Sequence, residues 1–328
     1  MTSPPEPAEA RYREAAAVTT SAMQQARDAY AQMLPARILT DMAGESGRQI
    51  LGAVIAAQVA MARTAQQYVA ACMAGGGVPS VPVATLNPAG FAGIASDGRP
   101  LGSLLFIPAI TVAQRRAAGA SDEEAMAAGL IQMARIVETQ IADVDRSSTQ
   151  VAMGVERQGL HYARVVHLPA CARCIILAGQ SYSTTEGFER HPGCDCTIMP
   201  VTDEQWAQMD GPRALFDSMD KAAQVRAFGI AGRQAILDGA NMNAVVNARR
   251  GISTATVHGR RLQVTDEGIT PRGFAGQRLG NFAVEQGRRY TVSTTPRLMP
   301  EEIYRIADDR EEALRLLHRY GYILQQPT

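Results

Sequence analysis

The chain has 328 residues, of which 46% are hydrophobic, and its formal net charge is +0. This length allows two or three compact units with cores of their own. The balanced charge excludes an overall electrostatic attraction to nucleic acid or to membranes, so any charged binding surface must be local.

The opening residues and the longest apolar run predict neither export nor a membrane anchor. The opening MTSPPEPAEARYRE lacks a basic stretch followed by an apolar one, so no secretory signal is predicted. The longest nearly apolar run, Leu51–Ala62, is too short to span a bilayer and is flanked by Arg48 and Arg63. We therefore expect synthesis in a reducing cytoplasm and no membrane partner, and there clustered cysteines favour metal binding over disulfides.

Residues 1–74 are predicted to form an N-terminal helical region. Ala8–Met33 is rich in Ala, Gln, Arg and Met, and a second helix is predicted over Glu45–Met73. Successive offsets of four, three and four place one apolar stripe on that second helix. The stripe consists of Ile50, Val54, Ala57 and Met61. Residues 75–104, which are rich in Gly and Pro, are interpreted as a linker or arm.

Residues 105–165 are predicted to be helical again. Helices are expected over Leu105–Ala118, from Ser121 to about Val144, and through Ser147–Ala163. Ser121 and Glu124 fit a capping box, in which a hydroxyl and a carboxylate three residues apart cap the helix start. Residues 166–240 are predicted to hold a zinc knuckle and the helices after it, with a break near Gly229 and Gly232.

The C-terminal part changes character. Residues 241–299, rich in Thr, Val, Gly and Arg, are predicted to be a partly extended region with short strands and turns. Residues 300–328 are predicted to form a C-terminal helix, with Pro300, Glu301 and Glu302 in its first turn and Gly321 at its end. The expected fold class is therefore mainly α, with short β-hairpins at the knuckle.

The most specific signal is a cluster of cysteines in the segment CARCIILAGQSYSTTEGFERHPGCDC. Four of the five cysteines lie within these 26 residues, and the candidate ligands are Cys171, Cys174, His191, Cys194 and Cys196. A Cys-x-x-Cys pair followed by a second pair at this distance is typical of a tetrahedral zinc site. Cys171, Cys174 and Cys196 are the preferred ligands, and either His191 or Cys194 supplies the fourth. Buried reduced cysteines or disulfides are the alternatives.

The donor set favours a structural zinc ion over a catalytic one. A catalytic zinc keeps a position open for water, whereas thiolates can fill every position here. The zinc deaminase pattern requires His-x-Glu upstream of Pro-Cys-x-x-Cys, and neither His161 nor His167 starts one. No nucleophile elbow surrounds any serine, so no catalytic residue is predicted and the protein is not expected to be an enzyme.

The order of these elements resembles the knuckle of the phage Mu F-like minor head proteins, also called head morphogenesis proteins, in the form found in actinobacteriophages. The elements are Cys171-x-x-Cys174, Leu177-Ala-Gly179, Tyr182, His191-Pro192-Gly-Cys194-Asp-Cys196 and Pro200. A weaker likeness extends over Arg157–Ile323. Asp195 departs from the basic residue that is usual between the last two cysteines, which argues against a phosphate contact there.

The resemblance implies a structural virion protein of low copy number beside the portal, with a role in head assembly and in the packaging or delivery of DNA. The implied partners are the portal protein and the major capsid or scaffold protein. The implied location is the capsid interior or portal vertex, after assembly in the host cytoplasm. The alternatives are a metal-dependent nuclease of the HNH type and a capsid maturation protease. A DNA-binding regulator would need a recognition helix near the knuckle, and TIMPVTDEQWAQMDG after Cys196 does not supply one.

The local charge of residues 241–299 points to a second binding surface. This region has nine arginines and three acidic residues. Paired arginines in a Gly- and Thr-rich segment are typical of non-specific contact with DNA phosphates, although an acidic protein partner or plain solvation fits as well. The candidate contact residues are Arg249, Arg250, Arg260, Arg261, Arg272, Arg278, Arg288 and Arg289.

Overall fold

A computed structural model describes residues 5–187, 190–257, 259–284 and 290–324. The helices are α1 (Glu6–Ala31), α2 (Ile38–Ala43), α3 (Glu45–Gly75), α4 (Leu101–Leu105), α5 (Ile107–Ala117), α6 (Asp122–Gly154), α7 (Ala172–Ile175), α8 (Asp203–Ala207), α9 (Pro212–Ser218), α10 (Lys221–Phe228), α11 (Ile230–Leu237), α12 (Met242–Ala248), α13 (Phe274–Leu279), α14 (Pro300–Ile306) and α15 (Arg310–Arg319). The strands are β1 (His161–Val165), β2 (Ser181–Ser183), β3 (Thr197–Val201), β4 (Ile252–Val257), β5 (Arg260–Thr265), β6 (Phe282–Val284), β7 (Thr291–Ser293) and β8 (Arg297–Leu298). The predicted mainly α fold with short antiparallel strands is confirmed.

The described residues divide into two compact units. The N-terminal unit consists of residues 5–168 and 178–209, and the C-terminal unit of residues 169–177 and 210–324. Within the described ranges, no helix has both the length and the apolar character that crossing a bilayer requires.

Three long helices, α1, α3 and α6, form the centre of the N-terminal unit and pack against one another. The predicted stripe on α3 lies in this core, where Ile50, Val54 and Met61 are fully buried. Alanines occupy many of the remaining core positions, which allows the helix backbones to approach closely. Helices α2 and α5 extend the same core at one end.

Helix α6 begins as predicted and is longer than predicted. The Ser121 hydroxyl accepts a hydrogen bond from the Glu124 backbone N–H, and the Glu124 carboxylate accepts one from the Ser121 N–H, so the capping box is formed. The helix then continues unbroken to Gly154. The expected interruption after Val144 does not occur because no glycine or proline separates the two predicted helices.

Three short strands before, within and after the cysteine segment form an antiparallel sheet in the order β2-β1-β3. In β1, Tyr162 is paired with Tyr182 of β2, and Ala163 is paired with Met199 of β3. The end of the helical prediction over 105–165 was therefore wrong, because residues 161–165 form the central strand. Strand β1 precedes Cys171, β2 lies within the cysteine segment, and β3 directly follows Cys196.

In the C-terminal unit, one of the two glycines breaks the helical run as predicted. Gly229 has a φ of 75°, a conformation that glycine adopts easily, and it separates α10 from α11. Gly232 instead lies inside α11, where a Cβ atom would approach Val245 Cγ1 to 3.3 Å. The second glycine thus allows close helix packing.

The region 241–299, expected to be partly extended, also contains α12 and α13, besides the hairpin of β4 and β5. Arg297 stabilises part of this region. It is buried and donates to the carbonyls of Tyr320 at 2.8 Å and Glu267 at 2.7 Å. The expected final helix is divided into α14 and α15 because the Asp309 side chain caps a new helix start at the Glu312 N–H.

Two glycines of the N-terminal unit predict opposite effects of the same substitution. A Cβ atom at Gly129 of α6 would lie 2.3 Å from Tyr30 Oη and 2.5 Å from Val112 Cγ2, whereas one at Gly52 of α3 would meet nothing within 4 Å. We expect Gly129→Ala to destabilise the protein by about 1–3 kcal/mol through overpacking. The matched control Gly52→Ala should stabilise it by about 0.5–1 kcal/mol. Thermal unfolding of both variants tests this, and equal shifts would contradict the packing at Gly129.

Candidate metal centre

The Cys-x-x-Cys pair is displayed by the short helix α7. Cys171 is the residue that precedes its first turn, and Cys174 lies in that turn. The Ile175 N–H donates to the Cys171 carbonyl at 3.1 Å, and the Leu177 N–H donates to the Cys174 carbonyl at 3.0 Å. This turn places the two thiols close to each other, as the spacing predicts.

The second half of the cysteine segment is a tight loop before β3. This loop, here called the cysteine loop, carries His191, Cys194 and Cys196. The Cys194 N–H donates to the His191 carbonyl at 3.0 Å, and Gly193 inside this turn has a φ of 75°. A residue with a side chain would be strained at that φ, so the glycine allows His191 and Cys194 to approach each other.

The structure brings all five predicted ligands together. The ligand atoms of Cys171, Cys174 and His191 lie within 4.8 Å of one another, and so do those of Cys174, Cys194 and Cys196. Cys174 is common to both groups. Cys171 is exposed, His191 is half-buried, and the other three thiols are buried. One group contains His191 and the other contains Cys194, so both predicted candidates for the fourth ligand lie in the cluster.

The donor set fits a soft divalent metal such as zinc. Zn–S bonds of about 2.3 Å in a tetrahedron place sulfur atoms roughly 3.8 Å apart, which agrees with the spacing of the two groups. Thiolates and imidazole are the ligands found in structural zinc sites. The cluster could therefore hold a metal ion without large rearrangement.

The imidazole of His191 is oriented by its neighbour. Its Nδ1 lies 3.0 Å from the Pro192 carbonyl oxygen, an acceptor that selects the tautomer with hydrogen on Nδ1. That tautomer leaves the lone pair on Nε2. Hydrogen bonding of the second ring nitrogen to a carbonyl is the usual arrangement for a histidine that binds metal.

Helix α6 contacts the loop of the second cysteine pair through Thr139, Asp143 and Arg146, here called the α6 polar strip. Thr139 Oγ1 accepts from the Gly193 N–H at 3.0 Å. The Arg146 guanidinium donates to the carbonyls of Cys194 at 3.1 Å and Cys196 at 2.8 Å. The sequence prediction missed these residues, because their partners in the loop lie about 50 residues away in the chain.

Asp143 connects the strip to the start of the loop. It accepts from Arg146 at 2.8 Å and also pairs with Arg190, the residue before His191. Both Asp143 and Arg146 are more than nine-tenths buried. The loop is thus fixed to α6 at both ends and in its middle.

A second set of contacts links the cysteine loop with α1. The Tyr12 hydroxyl donates to Asp195 at 3.3 Å, and the Tyr12 ring stacks on His167 with 4.0 Å between ring centres. His167 Nε2 lies 2.9 Å from the Thr197 hydroxyl oxygen. Asp195 thus accepts a hydrogen bond from a tyrosine of α1.

His167 predicts a dependence of stability on pH. Burial lowers the pKa of His167 below its usual value near 6.5, more than Glu9, Asp195 and Asp145 raise it. Below pH 6.5 the unfolded chain therefore binds more protons than the folded one, and stability falls as the pH drops toward the folded-state pKa. We expect His167→Gln to lose less stability than the wild type between pH 7 and pH 5 in chemical unfolding. Parallel losses would contradict a neutral buried imidazole.

The predicted contact arginines have different surroundings. Arg249 donates to the Phe228 carbonyl at 2.7 Å and to Glu301 at 2.9 Å. Arg278 donates to the Leu324 carbonyl at 3.0 Å and lies over the Phe274 ring. Arg288 and Arg289 lie outside the described residues. Arg249 is exposed to solvent, and so are Arg250, Arg260, Arg261 and Arg272.

Comparisons with known proteins give one match. Residues 108–222, about a third of the chain, match the VG15 protein family, which is associated with phages. The matched segment contains α6, its polar strip, and the whole cysteine segment with β1 to β3. Comparisons with curated proteins and with solved structures found no match. The chain is thus similar to a phage protein family, and the more specific resemblance to Mu F-like minor head proteins stays a prediction.

Proposed function

We propose that this chain is a structural minor head protein of a tailed bacteriophage, with one zinc ion held by the cysteine segment. The observation that carries the proposal is the location of the cysteine cluster. It lies, together with the α6 residues that hold its loop, within the segment similar to a phage protein family. The role is one of assembly at or near the portal.

The part played by the metal is mechanical. The loop that carries His191, Cys194 and Cys196 contains little regular structure of its own. Zinc would supply cross-links between ligands, so that binding free energy becomes folding free energy. The chain's own residues then keep the loop on α6 through Thr139 and Arg146.

A structural role accounts for the donor set better than an enzymatic one. Four thiols and one imidazole lie in the cluster, which exceeds the four positions of a tetrahedral zinc ion. A catalytic zinc needs one position for water. The proposal therefore includes no catalytic residue, and plasmid cleavage in Mg²⁺ by the purified chain would contradict that part.

The partners are proposed to be the portal protein and the major capsid or scaffold protein, with packaged DNA as a further contact. Support for DNA contact comes from the hairpin of β4 and β5. Thr254 faces Gln263 across the hairpin and Thr256 faces Arg261, and all four side chains are exposed. This face offers hydrogen-bond donors and a positive charge, the combination that contacts a phosphate backbone.

The hairpin arginines predict the salt dependence of DNA binding. Each phosphate contact contributes a slope of about −0.9 when the logarithm of the binding constant is plotted against that of salt concentration. We expect the double variant Arg260→Gln with Arg261→Gln to have a shallower slope, by the amount that corresponds to about two phosphate contacts. Fluorescence anisotropy on duplexes of unrelated sequence measures it. Exposed arginines of the other unit, changed as Arg63→Gln with Arg135→Gln, are the matched control. An equal slope in both double variants would assign any DNA contact to another surface.

The role in the head is tested in the phage that encodes the chain. Mass spectrometry of purified particles should detect the protein at a few copies relative to the major capsid protein. Particles assembled with the Cys174→Ser variant should contain less of it or be less infectious. Absence of the wild-type protein from both immature and mature particles would contradict the proposal.

A further inference from the structure

Burial of the α6 polar strip removes charged groups from water, which costs free energy unless these groups are paired. Asp143 and Arg146 are buried charged residues of α6, and buried ion pairs contribute little net stability. Their described contacts beyond the strip go to Arg190 and to the carbonyls of Cys194 and Cys196. The charged groups of the strip therefore contact the cysteine loop.

The charges of this region complement those of a loaded metal site. Arg146, Asp143 and Arg190 together carry one net positive charge. A zinc ion with three thiolates and an imidazole carries one net negative charge, and with four thiolates it carries two. In a buried setting such opposite charges attract more strongly than in water.

The geometry of Arg146 adds a second effect. One terminal nitrogen of its guanidinium, Nη1, donates to the carbonyls of both cysteines of the Cys-x-Cys pair, while the other, Nη2, donates to Asp143. These bonds fix the peptide plane that follows Cys194 and the one that follows Cys196. They thereby set the directions in which Cys194 and Cys196 leave the backbone.

We infer that Arg146 is the positioning residue of the metal site: it orients the Cys194–Cys196 pair and balances the negative charge of the loaded site from a helix that contributes no ligand. The inference rests on the metal site of the proposed function. It makes metal affinity depend on α6, and it identifies the reason for a buried arginine in this helix.

The test measures zinc affinity by competition with a chromogenic chelator, and coordination geometry from the visible absorption of the Co²⁺-loaded full chain. Arg146→Met removes both the charge and the donors, and loss of such a supporting residue weakens metal binding about 10–100-fold. Arg146→Lys keeps the charge but lacks the planar fork, so it should bind with intermediate affinity and an altered Co²⁺ spectrum. Arg135→Met, which changes an exposed arginine of the same helix, should match the wild type.

The outcomes separate the inference from the metal site itself. A wild type that binds neither zinc nor Co²⁺ overturns the site and the role of Arg146 with it. A wild type that binds metal, beside a folded Arg146→Met variant with the same affinity and spectrum, overturns only the role of Arg146. If circular dichroism shows that Arg146→Met does not fold, Arg146→Lys decides, and an unchanged affinity and spectrum in that variant overturn the inference.

Discussion

Cys174→Ser is expected to abolish stoichiometric metal binding and to destabilise the protein. Cys174 belongs to both groups of ligand atoms, so its loss leaves neither group complete. At free zinc a hundredfold above the dissociation constant, the lost stabilisation is about 2.7 kcal/mol, and it grows with zinc concentration. The measurement is chemical unfolding with and without added zinc, followed by the fluorescence of Trp206. This indole donates to the Gly179 carbonyl within the cysteine segment at 2.8 Å.

The control for this variant is the remaining cysteine. Cys72 lies buried in α3 and belongs to neither ligand group. Cys72→Ala should lose core packing while keeping the full metal content and the zinc-dependent part of the stability. A Cys174→Ser variant that unfolds at the wild-type denaturant concentration in the presence of zinc would contradict a stabilising site at this residue.

Arg11→Met is expected to cost about 3–5 kcal/mol of unfolding free energy, because it leaves a buried carboxylate without its partner. Arg11 Nε donates to Asp145 of α6 at 2.6 Å, and its Nη2 donates to the Met61 carbonyl of α3 at 2.8 Å. Both charged side chains are almost fully buried, with relative exposures of 1% and 6%. This single side chain therefore joins the three long helices of the N-terminal unit.

Two further variants isolate the cause. Arg13 forms an ion pair with Glu9 on the exposed face of α1, and Arg13→Met should cost no more than about 1 kcal/mol. Combining Arg11→Met with Asp145→Leu removes both buried charges and should recover much of the loss. Urea unfolding measures all four proteins. Equal effects of Arg11→Met and Arg13→Met would show that the buried pair does not stabilise the packing of the three long helices.

The sequence predicted those elements that depend on local chemistry. The capping box at Ser121, the apolar stripe of α3 and the break at Gly229 each follow from neighbouring residues, and each is present. The five clustered metal-binding residues were found for the same reason, because thiol spacing is a property of the chain itself.

Features that depend on distant contacts were not predicted. Strand β1 becomes extended because it pairs with β3, which lies beyond the cysteine segment. Helices α12 and α13 lie in a region whose composition favours extended chain, and the buried Arg297 joins Glu267 to Tyr320 in that region. Arg146 also could not be assigned, since its partners are about 50 residues away in the chain.

Native mass spectrometry of the wild-type chain, purified without added metal, tests the zinc site most directly. We expect one zinc ion per chain, retained in dilute buffer and released by acid together with unfolding of the cysteine segment. A chain that carries no metal, and in which Cys171, Cys174, Cys194 and Cys196 all react rapidly with an alkylating reagent in the folded state, would contradict it.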